Sequence, residues 1–323
     1  MSSGSSSGSR TVVKLFDAHC HLQDPRICNV APKLIRTALD SGVLRFAVNG
    51  VSEKDWHVVK EMGEQYPSII PCFGLHPWYV GERSPNWLKS MREFFNTTPS
   101  AAVGEIGLDK GSRGKEIDFS AQTEVFRQQL ELAKELERPV SVHCVQAFGD
   151  LLEIMQCTGP FPAGVILHSY LGSAEIVPGL AKLGAYFSFS GHHMSLKPQK
   201  AKKMLKSVPN ERILLESDAP DALPKSNLSS LLWVEGDTSV PHELQSQGQN
   251  SDLHGDLSPD HACYTLTDTS TLPKETLNHP ANIHNVLHYV ASLIEMPEEE
   301  LAELSYRNAV RVFSYPGSKV CEG

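Results

Sequence analysis

The 323-residue sequence has no Cys-x-x-Cys pair, and its seven cysteines, an odd number, are scattered at 20, 28, 72, 144, 157, 263 and 321. That pattern argues against a thiolate zinc ribbon and a paired disulfide framework. It fits free thiols in a reducing compartment, cytoplasmic or nuclear. No apolar run approaches the roughly 18 residues of a membrane-crossing helix, so no membrane partner is expected. The opening "MSSGSSSGS" has no apolar segment; it does not read as a secretory signal, and residues 1–10 are expected to form a disordered tail. No phosphate-cradling Gly-x-Gly-x-x-Gly follows the first strand-like run, which weakens a dinucleotide-binding reading. A basic excess is missing too: 38 Asp and Glu outweigh 29 Lys and Arg, for a formal net charge of −9. Much of that charge is local. Eight acids and two lysines between Lys225 and Glu275 carry −6, leaving −3 elsewhere, so a local basic groove stays open.

What is present is a repeating unit. A short β-rich apolar run leads to a polar or Gly-containing loop and then a helical pattern. The runs are "VKLFDAHCH", "VLRFAVNG", "IIPCFGLH", "AAVGEIG", "PVSVHC", "GVILHSY", "AYFSFSG" and "RILLESD". Their ends recur every 22 to 38 residues, the spacing of βα units in a barrel of about 250 residues. Near-continuous apolar strands alternating with helices indicate a parallel sheet covered on both faces. The fold class is therefore α/β, a (β/α)8 TIM barrel. One barrel domain is expected over residues 11–314, with a tail at 315–323. Residues 225–278 break the pattern. They are rich in Ser, Asp, Gln and Pro, and are expected to be an acidic, partly disordered insertion after strand eight.

The first run raises a sharper question. "LFDAHCHL" packs Asp17, His19, Cys20 and His21 into five positions, all metal-ligand types. Strand alternation puts Asp17, His19 and His21 on one face and Cys20 on the other, towards the helices. Ligand types also end other strands: His76, Glu105, His143, His168 and Asp218. In a (β/α)8 barrel all of these ends meet on one rim, where active sites lie. Imidazole and carboxylate suit Mg, Mn, Fe or Zn. A carboxylate between two such cations can bridge them, and the pair can activate a water and clamp a phosphate. An Asp at the end of strand eight can bind one cation and accept the water's proton.

The motifs "LFDAHCHL", "FGLHP", "VGEIGLD", "PVSVHC", "VILHSY" and "ILLESDAP", followed by "HPANI" and "RNAVRVF", occur in that order. In them the chain resembles the TatD-related metal-dependent deoxyribonucleases, within the amidohydrolase-like barrels, over residues 12–222 and 279–314. The resemblance implies a divalent-metal-dependent hydrolase of DNA phosphodiesters, a DNase with 3′→5′ exonuclease activity, using two divalent cations and the hydroxide they activate. DNA, as single strands or 3′ ends, would be the substrate. Carried over, His19, His21 and Asp218 would hold one cation, His143 and His168 the other, and Glu105 would bridge them. Asp218 and Glu105 would be the catalytic carboxylates. His76 would contact the scissile phosphate, and Asp17 and Glu216 would orient ligands from behind.

Three positions depart from the family pattern: Gln23 after "HCHL", Lys110 after "GEIGLD", and Val145 two residues after His143. Lys110 is a candidate for the positive charge that an Arg at 145 would supply. His192 stands on the correct rim for substrate. Trp78 could stack on a base. Lysines 197, 200, 202, 203 and 206 read as a solvated helix face or a phosphate-tracking rim. Two rival functions remain: a related barrel hydrolase acting on a small phosphoester or cyclic amide, and a protein whose main role is to bind a partner through the 225–278 insertion. Many barrels of the wider superfamily bridge their metals with a modified lysine on strand four. Glu105 stands there in this chain, which favours the nuclease.

Overall fold

Strands β1 (Leu15–Cys20), β2 (Val43–Asn49), β3 (Ile69–Phe73), β4 (Ala102–Asp109), β5 (Val140–Val145), β6 (Val165–Leu167), β7 (Ala185–Phe189) and β8 (Ile213–Leu215) pair in sequence order, each parallel to the next. The computed structural model describes residues 13–225, 231–237, 264–266 and 276–320; the expected tail at 1–10 lies outside them. Helices α1 (Ala31–Asp40), α2 (Trp56–Gln65), α3 (Trp87–Thr97), α4 (Phe119–Glu135), α5 (Phe148–Thr158), α6 (Val177–Lys182) and α7 (Pro198–Ser207) fill the crossovers. After β8, backbone bonds from Asp218 N to His19 O (3.0 Å) and from His21 N to Ala219 O (2.7 Å) tie the last strand's exit to the first. The result is a nearly closed (β/α)8 barrel.

Alternation along the strands explains why the runs are almost wholly apolar. Phe46, Ile69, Val103 and Val140 pack outward with the helices. Ala47, Ile70, Ala102, Ile166 and Leu214 pack in a second apolar cluster. Helix α9 (Glu298–Phe313) joins that second cluster through Ala309, Val312 and Phe313, and Phe313 stacks on Phe16 with ring centroids 5.1 Å apart. An apolar floor of this kind offers nothing to a charged ligand, which leaves the strand C-termini as the polar face.

The C-terminal stretch differs from the tail expected at 315–323. Tyr315 is buried, and the Lys319 ammonium donates to the carbonyls of Gly63, Tyr66 and Ile69. It thereby supplies charge and donors at the C-terminal end of α2. The insertion also holds more structure than its composition indicates. Strand β9 (Leu231–Glu235) pairs antiparallel with β10 (Tyr264–Leu266) and β11 (Thr276–Asn278). Asn282, just before α8 (Ile283–Ile294), accepts from Leu232 N at 3.0 Å, and Asp237 N donates to Arg26 O at 2.9 Å. The rest of the insertion, with its His242, His254 and His261, lies outside the described residues. Among those residues no helix is long and apolar enough to cross a membrane.

Candidate metal centre

Glu105 is the hub of the rim. Its Oε2 lies 3.4 Å from His21 Nε2 and 3.7 Å from His19 Nε2. Its Oε1 lies 2.8 Å from His168 Nε2, 3.1 Å from His143 Nδ1 and 3.5 Å from His76 Nε2. Asp218 Oδ1 completes the first side, 3.9 Å from His19 Nε2 and 3.8 Å from His21 Nε2. Each oxygen of Glu105 therefore faces its own set of histidine nitrogens. The structure brings together all six expected ligands, and adds His76 beside His143.

Local backbone geometry makes this convergence possible. Glu105 sits in mid-strand, because β4 runs on to Asp109. Gly107, with φ +148°, lets β5 approach: a Cβ there would stand 1.9 Å from the His143 carbonyl oxygen. Ser169 and Asp218, just beyond β6 and β8, take the left-handed conformation with φ +42° and +55°. Such values are rare outside glycine and are enriched at functional sites. Here they turn the chain at the rim, where Ser169 Oγ donates to Glu216 (2.8 Å) and to Asp218 (3.3 Å).

The outward nitrogens of the histidines carry the strongest signal. His19 Nδ1 meets Ser141 Oγ at 2.7 Å, and His21 Nδ1 meets the Asn49 carbonyl at 2.8 Å. His143 Nε2 faces Asp109 Oδ2 at 3.4 Å, and His168 Nδ1 faces Glu216 Oε1 at 3.6 Å. The carbonyl at His21 and the carboxylate at His143 take an N–H from the outer nitrogen and leave the inner one as a lone pair, the tautomer a cation needs; the Ser141 hydroxyl can accept likewise from His19, and Glu216 faces His168 beyond hydrogen-bond distance. His76 is the opposite case. Its Nδ1 accepts from the Trp78 backbone N–H at 3.2 Å, so a neutral ring carries its proton on the inward Nε2. His76 is thus built as a donor, and His21 and His143 as acceptors.

Electrostatics agree. Burial penalises the Glu105 carboxylate, but His76, His168 and His143 outweigh it and hold its pKa well below the usual range. Burial works against protonating His168 as well, yet Glu105, Glu216 and Asp218 push its pKa well above the ordinary value. Three buried carboxylates among imidazoles demand compensating positive charge, from protons or from a cation that displaces them. The donor set is nitrogen and oxygen throughout. Cys20 packs in the outer core with its Sγ 3.6 Å from Ala47 O, away from the cluster. These residues fit borderline divalent cations.

The remaining expected residues fall into place unevenly. Glu216 lies behind His168, as above. Asp17 reaches no imidazole: it accepts from Ser217 N (2.8 Å) and Ser217 Oγ (2.5 Å), fastening β1 to the exit of β8. Burial pushes its pKa up to about 8 despite those bonds. His192 Nε2, half-exposed, lies 3.4 Å from Asp218 Oδ2. Lys110 is taken by Asp150, at 2.7 Å, and by the Phe119 ring. Gln23 donates to the same Asn49 carbonyl that His21 meets, at 2.6 Å. Lys202 and Lys206 pair with Glu295, and Lys203 with Glu175, so three of the five lysines from 197 to 206 are engaged. Ser141, Asp109 and the Asn49 carbonyl were not foreseen. Asp109 and Ser141 lie inside motifs already singled out, and only their spatial partners reveal what they do.

A family model described as TatD related DNase matches residues 16–314. The chain belongs to the TatD-related DNase family. With the family goes the enzyme class, a metal-dependent hydrolase. The metal-dependent hydrolase YabD of Bacillus subtilis is 28% identical over 299 residues, covering 93% of this chain and 98% of that protein. The 3′-5′ ssDNA/RNA exonuclease TatD of a Pantoea species is 27% identical over 216 residues, covering 65% of this chain and 81% of that one. Among solved structures, the TatD homologue YjjV of Escherichia coli K12 superposes with a TM-score of 0.73 at 22% identity, covering 95% of this chain and all of that one. A TatD-family hydrolase from Entamoeba histolytica gives 0.72 at 16% identity, covering 94% and 98%. At those identities the likeness is one of fold.

Proposed function

We propose that the protein hydrolyses DNA phosphodiesters, removing nucleotides from 3′ ends, with two divalent cations at the rim. The observation that carries this reading is the division of Glu105, one oxygen towards His19 and His21 and the other towards His143 and His168. His19, His21 and Asp218 would hold one cation, His143 and His168 the other, and Glu105 would serve both. Bound there, the cations supply Lewis acidity, which acidifies water and draws charge from a phosphoryl oxygen.

The chain's own groups do the rest. Asp218 Oδ2, within 3.4 Å of the solvent-facing His192, is placed to take a proton from the attacking water and pass it outward. His76 Nε2–H donates to a non-bridging phosphate oxygen, stabilising the charge that builds there. The Asn49 carbonyl and Asp109 hold the ring tautomers of His21 and His143, so the site is organised before substrate arrives.

Metal-reconstituted protein incubated with end-labelled single-stranded DNA tests the reading, beside Glu105→Ala and Asp218→Asn. Wild type should shorten the strand from its 3′ end, and both variants should fall by at least about 10²-fold. Equal rates in all three would overturn the assignment.

A further inference from the structure

The rim beside His143 carries a cation that the hydrolytic cluster does not use. Arg113 lies with its guanidinium carbon 4.3 Å from the centroid of the Trp78 ring and 5.5 Å from that of Tyr79. Trp78 in turn donates from Nε1 to Asp109 Oδ2 at 2.5 Å, and its ring lies 4.6 Å from that of His76 and 5.9 Å from that of His143. The indole therefore contacts both the guanidinium and the histidines of the cluster.

The loop that presents Arg113 is firmly pinned. Gly111 N donates to Asp109 Oδ1 at 2.5 Å, and Lys110 N to Val145 O at 2.9 Å. From α4, Gln122 Nε2 donates to the carbonyls of Asp109 (3.1 Å) and Gly114 (2.9 Å). Three neighbouring cations at this face are committed. Lys110 pairs with Asp150, Arg26 with Asp24 and Asp221, and Lys54 with Glu82. Arg113 is half-buried, and among the described residues no carboxylate lies within ion-pairing distance of it. A guanidinium seated over an aromatic ring, with the Tyr79 hydroxyl taking one of its donors, keeps its other N–H groups available and loses little entropy when it grips an anion.

We propose that Arg113, held on Trp78, binds the phosphate next to the scissile one and so selects a polynucleotide over a small phosphoester. This rests on the nuclease reading. The guanidinium and the His76 ring both contact the indole, and in this assignment His76 takes the scissile phosphate and Arg113 the neighbouring one along a strand. Trp78 is then a positioning residue, joining the outer phosphate contact to Asp109 and, through it, to His143.

The test compares metal-loaded wild type, Arg113→Gln, Arg113→Lys and Lys115→Gln on two substrates. One is an end-labelled single-stranded oligonucleotide. The other is bis(p-nitrophenyl) phosphate, a diester with no second phosphate. Arg113→Gln should raise KM for the oligonucleotide roughly tenfold, keep kcat/KM for the small diester within about twofold, and leave metal content and Tm unchanged. Its salt dependence on the oligonucleotide should flatten by about 0.7 in log–log slope, one phosphate contact on a single strand. Arg113→Lys should recover part of the loss, and Lys115→Gln should match wild type. Equal effects on both substrates, or on neither, would overturn the proposal while leaving the nuclease reading standing. A wild type that cleaves the small diester and spares the oligonucleotide would defeat both, and that shows before any variant is compared.

Discussion

His168 Nε2 stands 2.8 Å from Oε1 of Glu105, while the far nitrogen of the same ring turns towards Glu216 at 3.6 Å. The imidazole stands between a carboxylate that would share its cation and one that faces its other nitrogen. Replacing Glu105 should therefore do more than remove one ligand. Glu105→Gln keeps the shape and removes the charge. Its metal content, read by inductively coupled plasma mass spectrometry, should fall below that of wild type, and hydrolysis should drop at least about 10²-fold.

Ser141 touches the site only through His19 Nδ1, at 2.7 Å. Ser141→Ala removes that partner and little volume. Metal affinity should weaken roughly tenfold, the lower end of what outer-shell partners contribute. Competition with a chromogenic chelator measures it; unchanged affinity would mean that Ser141 does not set the His19 tautomer.

His76 faces the cluster as a donor, its Nδ1 occupied by the Trp78 N–H. His76→Ala should retain full metal content and lose about 10²- to 10³-fold in kcat, the effect of deleting one donor to developing charge. A matching loss of metal would make His76 a ligand instead.

His279 offers a pH test away from the centre. It is fully buried, its Nε2 has no hydrogen-bond partner among the described residues, and burial lowers its pKa from 6.5 to about 4. A histidine depressed in the folded state binds fewer protons there than in the unfolded chain. Its contribution is therefore intact above pH 6.5 and is lost as pH falls towards 4. At about 1.4 kcal/mol per unit, the loss totals about 3 kcal/mol. His279→Asn keeps an acceptor for Ala281 N–H and cannot ionise. Denaturant titrations should show wild type losing more stability than the variant between pH 6.5 and 4.

By itself the sequence determined the barrel and the candidate ligands that share its rim. Near-continuous apolar runs separated by helical patterns are local signals, and a parallel sheet gathers their ends onto one rim whatever the loops do. Hence His19, His21, Glu105, His143, His168 and Asp218 could be picked out before any coordinate was known. Only the tertiary structure decided which nitrogen of each ring faces inward, because that depends on partners far away in the chain: Ser141 is 122 residues from His19. The same holds for Asp17, which answers Ser217 rather than a ring, and for Lys110, which a carboxylate 40 residues on draws away. Strand β9 finds its partners 264–266 and 276–278 across a stretch whose composition indicates no strands. Arg113 carried no motif at all. Its place on Trp78 follows from a loop pinned by Asp109 and Gln122, a contact that spacing along the chain does not encode.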